Sequence, residues 1–122
     1  MARILTVKTF KDTRGNLTVL DSDLPFAVKR IYYIYGVGKD AVRAGHRHKK
    51  NDQVLICMHG RCEIYVNDGT TKQTFTLDRP DQCLLLEARD WHTMQRFSEN
   101  AVLLVLASEH YDVNDYIDEE YR

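Results

Sequence analysis

Residues 45–60 read GHRHKKNDQVLICMHG and combine two histidines, a glutamine and an apolar run that ends at a glycine. His46 and His48 stand at alternate positions, and alternate residues of an extended strand point to the same face of a sheet. Both imidazoles can therefore reach into one cavity. The apolar run suits a buried strand, and Gly60 suits the turn that ends it. The stretch predicts a β-rich protein whose reactive centre is built on these two histidines.

The rest of the chain repeats this strand pattern. Short runs rich in Val, Ile, Thr and Tyr recur roughly every eight to twelve residues, with turn residues between them, which is typical of a sandwich or barrel. They predict strands over residues 3–9, 17–20, 26–35, 44–48, 53–58, 61–66, 73–77, 83–86, 92–97 and 101–107. Residues 101–107 are apolar throughout, so we expect them to be covered on both faces. In the acidic tail, Asp112 can cap a short terminal helix.

Length and charge limit the classes of function. The chain has 122 residues, with 17 basic and 18 acidic side chains and a formal net charge of −1. This predicts one domain over residues 1–122 and no long-range attraction to nucleic acid. No apolar run approaches the roughly 20 residues that a membrane span needs, and the N-terminal segment lacks the apolar core of a signal peptide. We therefore expect a cytoplasmic protein with neither a nucleic-acid nor a membrane partner.

The three cysteines, Cys57, Cys62 and Cys83, are expected to be structural. Their number is odd, they show no CxxC spacing, and they lie in apolar segments where a thiol behaves as a small hydrophobe. A nucleophilic Cys62 near His59 is the alternative.

His46 and His48, followed by Gln53 and then Gly60 at the same spacing, resemble the first consensus motif of the cupin barrels, in which a glutamate stands where this chain has Gln53. In metal-dependent cupins the two histidines, that glutamate and a later histidine bind a divalent ion, and His92 occupies the later position here. Three imidazoles can bind zinc or iron, but an amide is a poor replacement for the carboxylate. Without a metal, imidazoles whose ordinary pKa is near 6.5 suit proton transfer, which needs no cofactor.

A closer resemblance covers nearly the whole chain. The chain is similar to the TDP-4-keto-6-deoxyglucose 3,4-ketoisomerases, which are metal-free cupins, in the segments DTRGNL (12–17), PFAVKRIYYIY (25–35), RAGHRHKKNDQ (43–53), WHTM (91–94) and VLASEHYDVNDYI (105–117). That family carries glutamine at the cupin glutamate position, so Gln53 fits it. Departures are Arg47, where a small residue is common, and Ala44-Gly45 before the histidines. Arg47 should point away from His46 and His48.

The resemblance implies isomerisation of TDP-4-keto-6-deoxy-D-glucose to a TDP-3-keto-6-deoxyhexose, a step of deoxyamino-sugar synthesis for surface glycans. A proton must leave carbon 3, an enediol must form, and a proton must return to carbon 4. Such a reaction needs a base over carbon 3 and a donor for the charge that develops on oxygen. Our hypothesis makes His48 the carbon-directed base and His46 the partner that moves protons between the sugar oxygens, although their order can be reversed.

Other site residues follow from the same resemblance. It places a tyrosine at Tyr33, whose phenol can donate to an enediolate oxygen. It marks Arg14 and Arg43 for the diphosphate, since a guanidinium binds phosphate in a bidentate manner. Trp91 is the only tryptophan and adjoins His92, so it can stack on the base or pack beneath the cavity. Gln53 and His92 complete the expected substrate site.

The resemblance also implies a cupin, RmlC-like jelly-roll barrel or sandwich that forms a homodimer with interlocked N-terminal strands. Two rival functions remain open at this point. One is a metal-dependent cupin enzyme, and the other is a non-catalytic sensor that binds a sugar nucleotide in the same pocket. The configuration at carbon 4 of the product depends on which face of the enediol receives the proton, which residue types alone do not determine.

Overall fold

A computed structural model describes all of residues 1–122 and shows a chain that is almost entirely β-stranded. The strands are β1 (Arg3–Leu5), β2 (Lys8–Asp12), β3 (Gly15–Val19), β4 (Arg30–Tyr35), β5 (Arg43–His48), β6 (Gln53–His59), β7 (Cys62–Asn67), β8 (Lys72–Leu77), β9 (Cys83–Leu86), β10 (Trp91–Gln95), β11 (Val102–Ala107) and β12 (Tyr116–Ile117). One 3₁₀ turn, Val113–Asp115, precedes β12.

Ten of these strands form two five-stranded antiparallel sheets. The first sheet has the order β1-β9-β6-β11-β4, and the second has the order β12-β5-β10-β7-β8. Each sheet takes strands from distant parts of the chain, as in double-sheet jelly rolls. The predicted mainly β, double-sheet architecture is therefore confirmed.

Apolar side chains from both sheets meet in the larger of two core clusters. Leu55 and Leu103 come from the first sheet, whereas Ile64 and Met94 come from the second. In β7 the inward positions alternate with less buried ones, as the period of a strand requires. This cluster holds the two sheets face to face and leaves the polar site at one end of the space between them.

A smaller cluster covers the other face of the first sheet. Val54, Ile56 and Leu106 pack there against side chains of the chain segment before β4, including Leu24 and Phe26. Strand β11 contributes to both clusters, so the expectation that residues 101–107 are covered on both faces is confirmed. All three cysteines are buried and free, as expected.

Three predicted elements differ clearly from the structure, whereas the ends of the other predicted strands agree within two residues. The predicted strand 3–9 is divided into β1 and β2, because the chain leaves the first sheet to form a hairpin with β3. Residues 26–29 precede β4 rather than belonging to it. The terminal helix is only a 3₁₀ turn, although Asp112 caps it as expected by accepting a hydrogen bond from the Asn114 amide.

The β2–β3 hairpin forms a two-stranded sheet of its own. Phe10 and Leu17 lie opposite each other across the two strands, and both side chains are exposed. Arg14 lies at the turn of the hairpin. No helix of the structure is long and apolar enough to cross a bilayer.

Candidate active site

Three histidines come together at the end of the intersheet space. The ring centroids of His46 and His48 are 5.0 Å apart, and that of His92 lies 5.3 Å from His46 and 6.4 Å from His48. His46 and His48 share a face of β5, and His92 is the direct partner of His46 across the β5–β10 pair. The two motif histidines therefore share one face of β5 and lie together, as strand alternation predicts.

A short irregularity in β5 directs His46 into the site. Ala44 and Gly45 both have positive φ, at 67° and 80°, and the β5–β10 register shifts beside them. Positive φ is uncommon for a residue with a side chain, and bulges that re-aim a side chain often lie beside active sites. The departure Ala44-Gly45 thus sits in the bulge that precedes the first histidine.

A carboxylate that the sequence analysis did not identify fixes His48. The Asp115 Oδ2 atom lies 3.0 Å from His48 Nδ1, and the same carboxylate accepts the Lys50 amide at 2.8 Å and the Asn51 amide at 3.3 Å. Because a carboxylate only accepts, Nδ1 must carry the proton and donate it. The buried Nε2 atom of His48 has no protein partner, so its lone pair remains free.

Burial sets the charge of the three imidazoles. Burial and the neighbouring His48 lower the pKa of His46 to about 4. Burial also lowers the pKa of His48, and the Asp115 carboxylate opposes this effect. His92 is 1 % exposed, and burial lowers its pKa to about 3. All three rings are neutral near pH 7, the form that can accept a proton.

Beside the histidines opens a cavity of about 290 Å³. It is lined by aromatic, basic and small residues: Arg30, Tyr32, Tyr33, Ile34, Arg43, Ala44, His46, Met94 and Tyr116. His46 belongs to the wall, whereas His48 and His92 lie behind it. Arg43 lines this cavity as well, in agreement with its predicted place in the substrate site.

Of the two tyrosines that line the cavity, Tyr32 is the one that points into the space between the sheets. The Tyr32 hydroxyl accepts a hydrogen bond of 2.9 Å from the Gln53 side-chain amide, and Tyr32 packs against the intersheet cluster. Tyr33 also lines the cavity, but it is 63 % exposed and stacks on Tyr35. The role of Tyr33 as third donor stays a prediction, whereas the geometry favours Tyr32. Strand alternation separated the two tyrosines, but the pairing of Tyr32 with the inward-facing Val105 determines which one points inward.

Gln53 has a specific role in this arrangement. Its side chain is 2 % exposed, and its amide donates to the Tyr32 hydroxyl oxygen. A phenol that accepts a hydrogen bond keeps its own proton available for another acceptor. The glutamine thus leaves the Tyr32 proton free to be directed into the cavity.

Tyr116 is a second site residue that the sequence analysis missed. Its ring centroid lies 4.7 Å from both His46 and His48, and the residue lines the cavity. Strand β12 places it there by pairing with β5, with Tyr116 opposite His48. The only sequence signal was the position of Asp115 and Tyr116 in the last family segment.

Trp91 does not line this cavity, and its predicted place in the substrate site stays a prediction. It precedes the inward-facing His92 and so points to the opposite side of β10, where its indole donates to the Asp118 carbonyl at 2.9 Å. Asn67 and Tyr121 also hold the tail on this outer face. Arg47 stacks on the Tyr121 ring at 4.6 Å, which confirms that it points away from the histidines.

Arg14 also lies away from the histidine cavity of its own chain. Its side chain is 89 % exposed and pairs with Asp12 at 2.7 Å. It lines a separate depression of about 440 Å³ formed only by hairpin residues. Within one chain, the structure does not bring Arg14 together with Arg43.

The cavity does not present the ligand set of a metal-dependent cupin. The Gln53 amide is directed at Tyr32, and no group of three or more histidine, cysteine or carboxylate side chains is arranged to hold a metal ion. These residues do not fit the metal centre that the cupin motif suggests. The absence of a metal requirement stays a prediction.

Comparisons with known proteins agree with this geometry. The model of a family described as FdtA, WxcM-like, C-terminal, matches residues 1–122. A TDP-4-oxo-6-deoxy-alpha-D-glucose-3,4-oxoisomerase of Aneurinibacillus thermoaerophilus is 39 % identical over 117 residues, which cover 94 % of this chain and 84 % of the relative.

Solved structures of ketoisomerases are similar to this chain over nearly its whole length. A 3,4-ketoisomerase from Helicobacter canadensis is 43 % identical, with a TM-score of 0.91 over 97 % of this chain and 90 % of that one. A mutant of the ketoisomerase QdtA from Thermoanaerobacterium thermosaccharolyticum, in complex with TDP-4-keto-6-deoxyglucose, is 39 % identical, with a TM-score of 0.92 over 97 % and 87 % of the two chains. A dTDP-4-dehydrorhamnose 3,5-epimerase from Bacillus anthracis, 15 % identical with a TM-score of 0.82 over 94 % and 76 %, shares the fold and confirms the RmlC-like architecture.

Proposed function

Because this chain belongs to the FdtA family of WxcM-like C-terminal domains, we propose that it is a sugar-nucleotide 3,4-ketoisomerase. It converts TDP-4-keto-6-deoxyglucose to a TDP-3-keto-6-deoxyhexose, an intramolecular oxidoreduction that feeds deoxyamino-sugar synthesis. The observation that carries the proposal is that a neutral imidazole, His46, and a phenol, Tyr32, line one cavity, with the His48 ring packed against His46. These are the groups that a proton-transfer reaction needs.

We propose His46 as the base that removes the proton from carbon 3. It is the imidazole that lines the cavity, and its low pKa keeps it unprotonated at neutral pH. When the proton leaves, its electron pair forms the double bond between carbons 3 and 4, and the 4-oxygen becomes the acceptor of a proton. This order reverses the sequence-based hypothesis, in which His48 was the carbon-directed base.

His46 also serves the sugar oxygens, because it is the imidazole that lines the cavity. It hands its proton to the 4-oxygen and then takes the proton of the 3-hydroxyl. His48, whose ring centroid lies 5.0 Å from that of His46, is held by Asp115 and positions the His46 ring. The product of these steps is an enediolate whose charge lies on the 3-oxygen.

Tyr32 completes the reaction by donating its phenolic proton to carbon 4, after which the carbonyl forms at carbon 3. The proton held by His46 returns to the phenolate through solvent, so the enzyme ends in its starting state. Gln53 keeps the Tyr32 proton directed into the cavity, and the His92 ring contacts the His46 ring edge-on at a centroid distance of 5.3 Å. Arg43 is positioned for the diphosphate.

Replacing Asp115 by Asn is expected to lower turnover by about 10²-fold. The asparagine amide cannot accept from the Lys50 amide, the Asn51 amide and His48 Nδ1 with one oxygen, so His48 loses its fixed tautomer. The steady-state kcat measures the effect. Asp112→Asn, the same change at the cap of the same turn, should leave kcat near the wild-type value because asparagine is also a good cap. Equal losses in both variants would assign Asp115 a purely structural role.

Replacing Gln53 by Glu is expected to lower kcat by about 10²-fold, because a carboxylate would accept the Tyr32 proton that the cavity needs. TDP affinity, measured by calorimetry, should change little. A variant with wild-type kcat would show that the Gln53–Tyr32 hydrogen bond does not direct the donor.

The homodimer is part of the proposal. The outer face of β4 carries three exposed side chains, Ile31, Tyr33 and Tyr35, at 61 %, 63 % and 69 % exposure. A second copy of the chain can cover this largely hydrophobic face. An isolated hairpin such as β2–β3 is marginally stable by itself, so it also needs a partner surface. A partner would let Arg14 reach the cavity of the other copy and bind the diphosphate there. The mass in solution, measured by sedimentation equilibrium, checks this assembly.

The activity itself is tested by incubating the purified protein with TDP-4-keto-6-deoxyglucose and identifying the product by NMR. We expect a TDP-3-keto-6-deoxyhexose, and the spectrum will also give its configuration at carbon 4. An unchanged sugar together with tight TDP binding would favour a sensor instead. That residues 1–122 form the whole isomerase domain, and that the protein is cytoplasmic, stay predictions.

A further inference from the structure

Arg30 is a cavity residue that the mechanism above does not use. Its guanidinium carbon lies 4.5 Å from the centroid of the Tyr32 ring and 5.4 Å from that of Tyr111, so the group is held between two aromatic faces. No carboxylate lies within ion-pairing distance of it, unlike its neighbour Lys29, which pairs with Glu109 at 3.7 Å. Arg30 thus brings a fixed and uncompensated positive charge to the ring of the proposed donor.

That placement matters at one step of the reaction. When Tyr32 gives its proton to carbon 4, the phenol becomes a phenolate, and its charge spreads over the ring. A guanidinium over the face of an aromatic ring is already attractive when the ring is neutral, and more so when the ring carries negative charge. The second ring, Tyr111, keeps the guanidinium in place while this charge appears and disappears.

We propose that Arg30 is a positioning residue that stabilises the phenolate of Tyr32 and so assists protonation at carbon 4. The inference rests on the proposed function, because it assumes that Tyr32 is the donor. The two arginines of the cavity thus have different roles. Arg43 binds the substrate, whereas Arg30 acts through Tyr32.

The surroundings of the Tyr32 hydroxyl agree with this role. Burial raises the pKa of Tyr32, and the positive charge of Arg30 opposes the rise. The other groups that face this phenol are Tyr116 on β12, which adds to the rise, and Gln53 on β6 and Arg43 on β5, which oppose it. Among the fixed charges, Arg30 is the one stacked directly on the ring.

The test compares Arg30→Gln, Arg30→Lys and the control Lys29→Gln, which removes one positive charge from the adjacent surface position. For Arg30→Gln we expect a roughly tenfold decrease in kcat with KM nearly unchanged. A loss of this size corresponds to the free energy of a desolvated cation–π contact. Exchange of the carbon 3 proton with deuterated water should continue at the wild-type rate, because His46 is intact. Arg30→Lys should recover part of the loss, and Lys29→Gln should behave as wild type.

A second measurement needs no substrate. The Tyr32 phenol can be titrated by NMR of protein labelled with ¹³C at the tyrosine ζ carbons, with Tyr32→Phe providing the assignment. We expect the Tyr32 pKa to rise in Arg30→Gln and to rise less in Arg30→Lys. An unchanged Tyr32 pKa overturns the inference, and so does a loss confined to KM, which would make Arg30 a substrate-binding residue. If the wild-type protein does not convert the 4-keto sugar, the proposed function fails instead, while the titration still reports on Arg30.

Discussion

Replacing His46 by Asn is expected to reduce ketoisomerase turnover by about 10³-fold, with TDP affinity nearly unchanged. His46 is the imidazole in the cavity wall, and asparagine preserves much of its polarity and size without supplying a base. Exchange of the carbon 3 proton with deuterated water should disappear together with turnover. His110→Asn, at an exposed histidine outside the site, is the control.

The pH at which kcat/KM falls on the acid side of its pH profile provides an independent check on His46 as the base. A base must be unprotonated, and burial together with His48 lowers the pKa of His46 from its ordinary value of 6.5 to about 4. The wild-type enzyme should therefore keep its activity as the pH falls through 6.5 and lose it only near pH 4, provided that circular dichroism shows a folded protein. Retained proton exchange in His46→Asn would return the role of base to His48, as the sequence-based hypothesis had it.

Replacing Tyr32 by Phe is expected to reduce product formation by about 10²-fold while leaving exchange at carbon 3 active. The phenol is required only when carbon 4 receives its proton, so the carbanion at carbon 3 still forms and returns. NMR in deuterated water follows both events in one sample, because the substrate loses its carbon 3 proton signal even when no 3-keto product accumulates.

The matched control is Tyr33→Phe, which makes the same change one residue later on the opposite face of β4. We expect kcat close to the wild-type value for this variant. A large loss in Tyr33→Phe with little effect in Tyr32→Phe would contradict the assignment that the structure supports and restore the residue that the resemblance implied.

The histidine pair was predictable because its evidence is local. Strand period alone places His46 and His48 on one face, and the spacing to Gln53 and Gly60 identifies the motif. The same local rule gave the outward direction of Arg47. It could not choose between Tyr32 and Tyr33, because alternation states only that they differ, and the inward face depends on pairing with β11.

Residues joined by long-range contacts were the ones missed. Asp115 and His48 are 67 positions apart in the chain and meet only because β12 pairs with β5.

Trp91 was placed in the cavity because it adjoins His92, yet adjacency on a strand puts neighbours on opposite faces. Applying the alternation rule to Trp91 as it was applied to Arg47 would have predicted its outward position.

Gln53 illustrates how one residue type connects the motif to the mechanism. As a ligand it is a poor substitute for glutamate. In the structure it is a hydrogen-bond donor to Tyr32, a task that a carboxylate cannot perform. The position that departs from the metal-binding motif is therefore the one that orients the proposed acid.

The central claim is that the cavity moves protons between carbons 3 and 4 of a TDP-linked keto sugar. Its most direct test is conversion of TDP-4-keto-6-deoxyglucose in deuterated water, followed by ¹H NMR of the product. We expect a 3-keto sugar that carries deuterium at carbon 4, since the proton supplied there comes from groups that exchange with solvent. A 3-keto product with the original carbon 3 hydrogen transferred intact to carbon 4 would contradict this account, as would a sugar that remains unchanged.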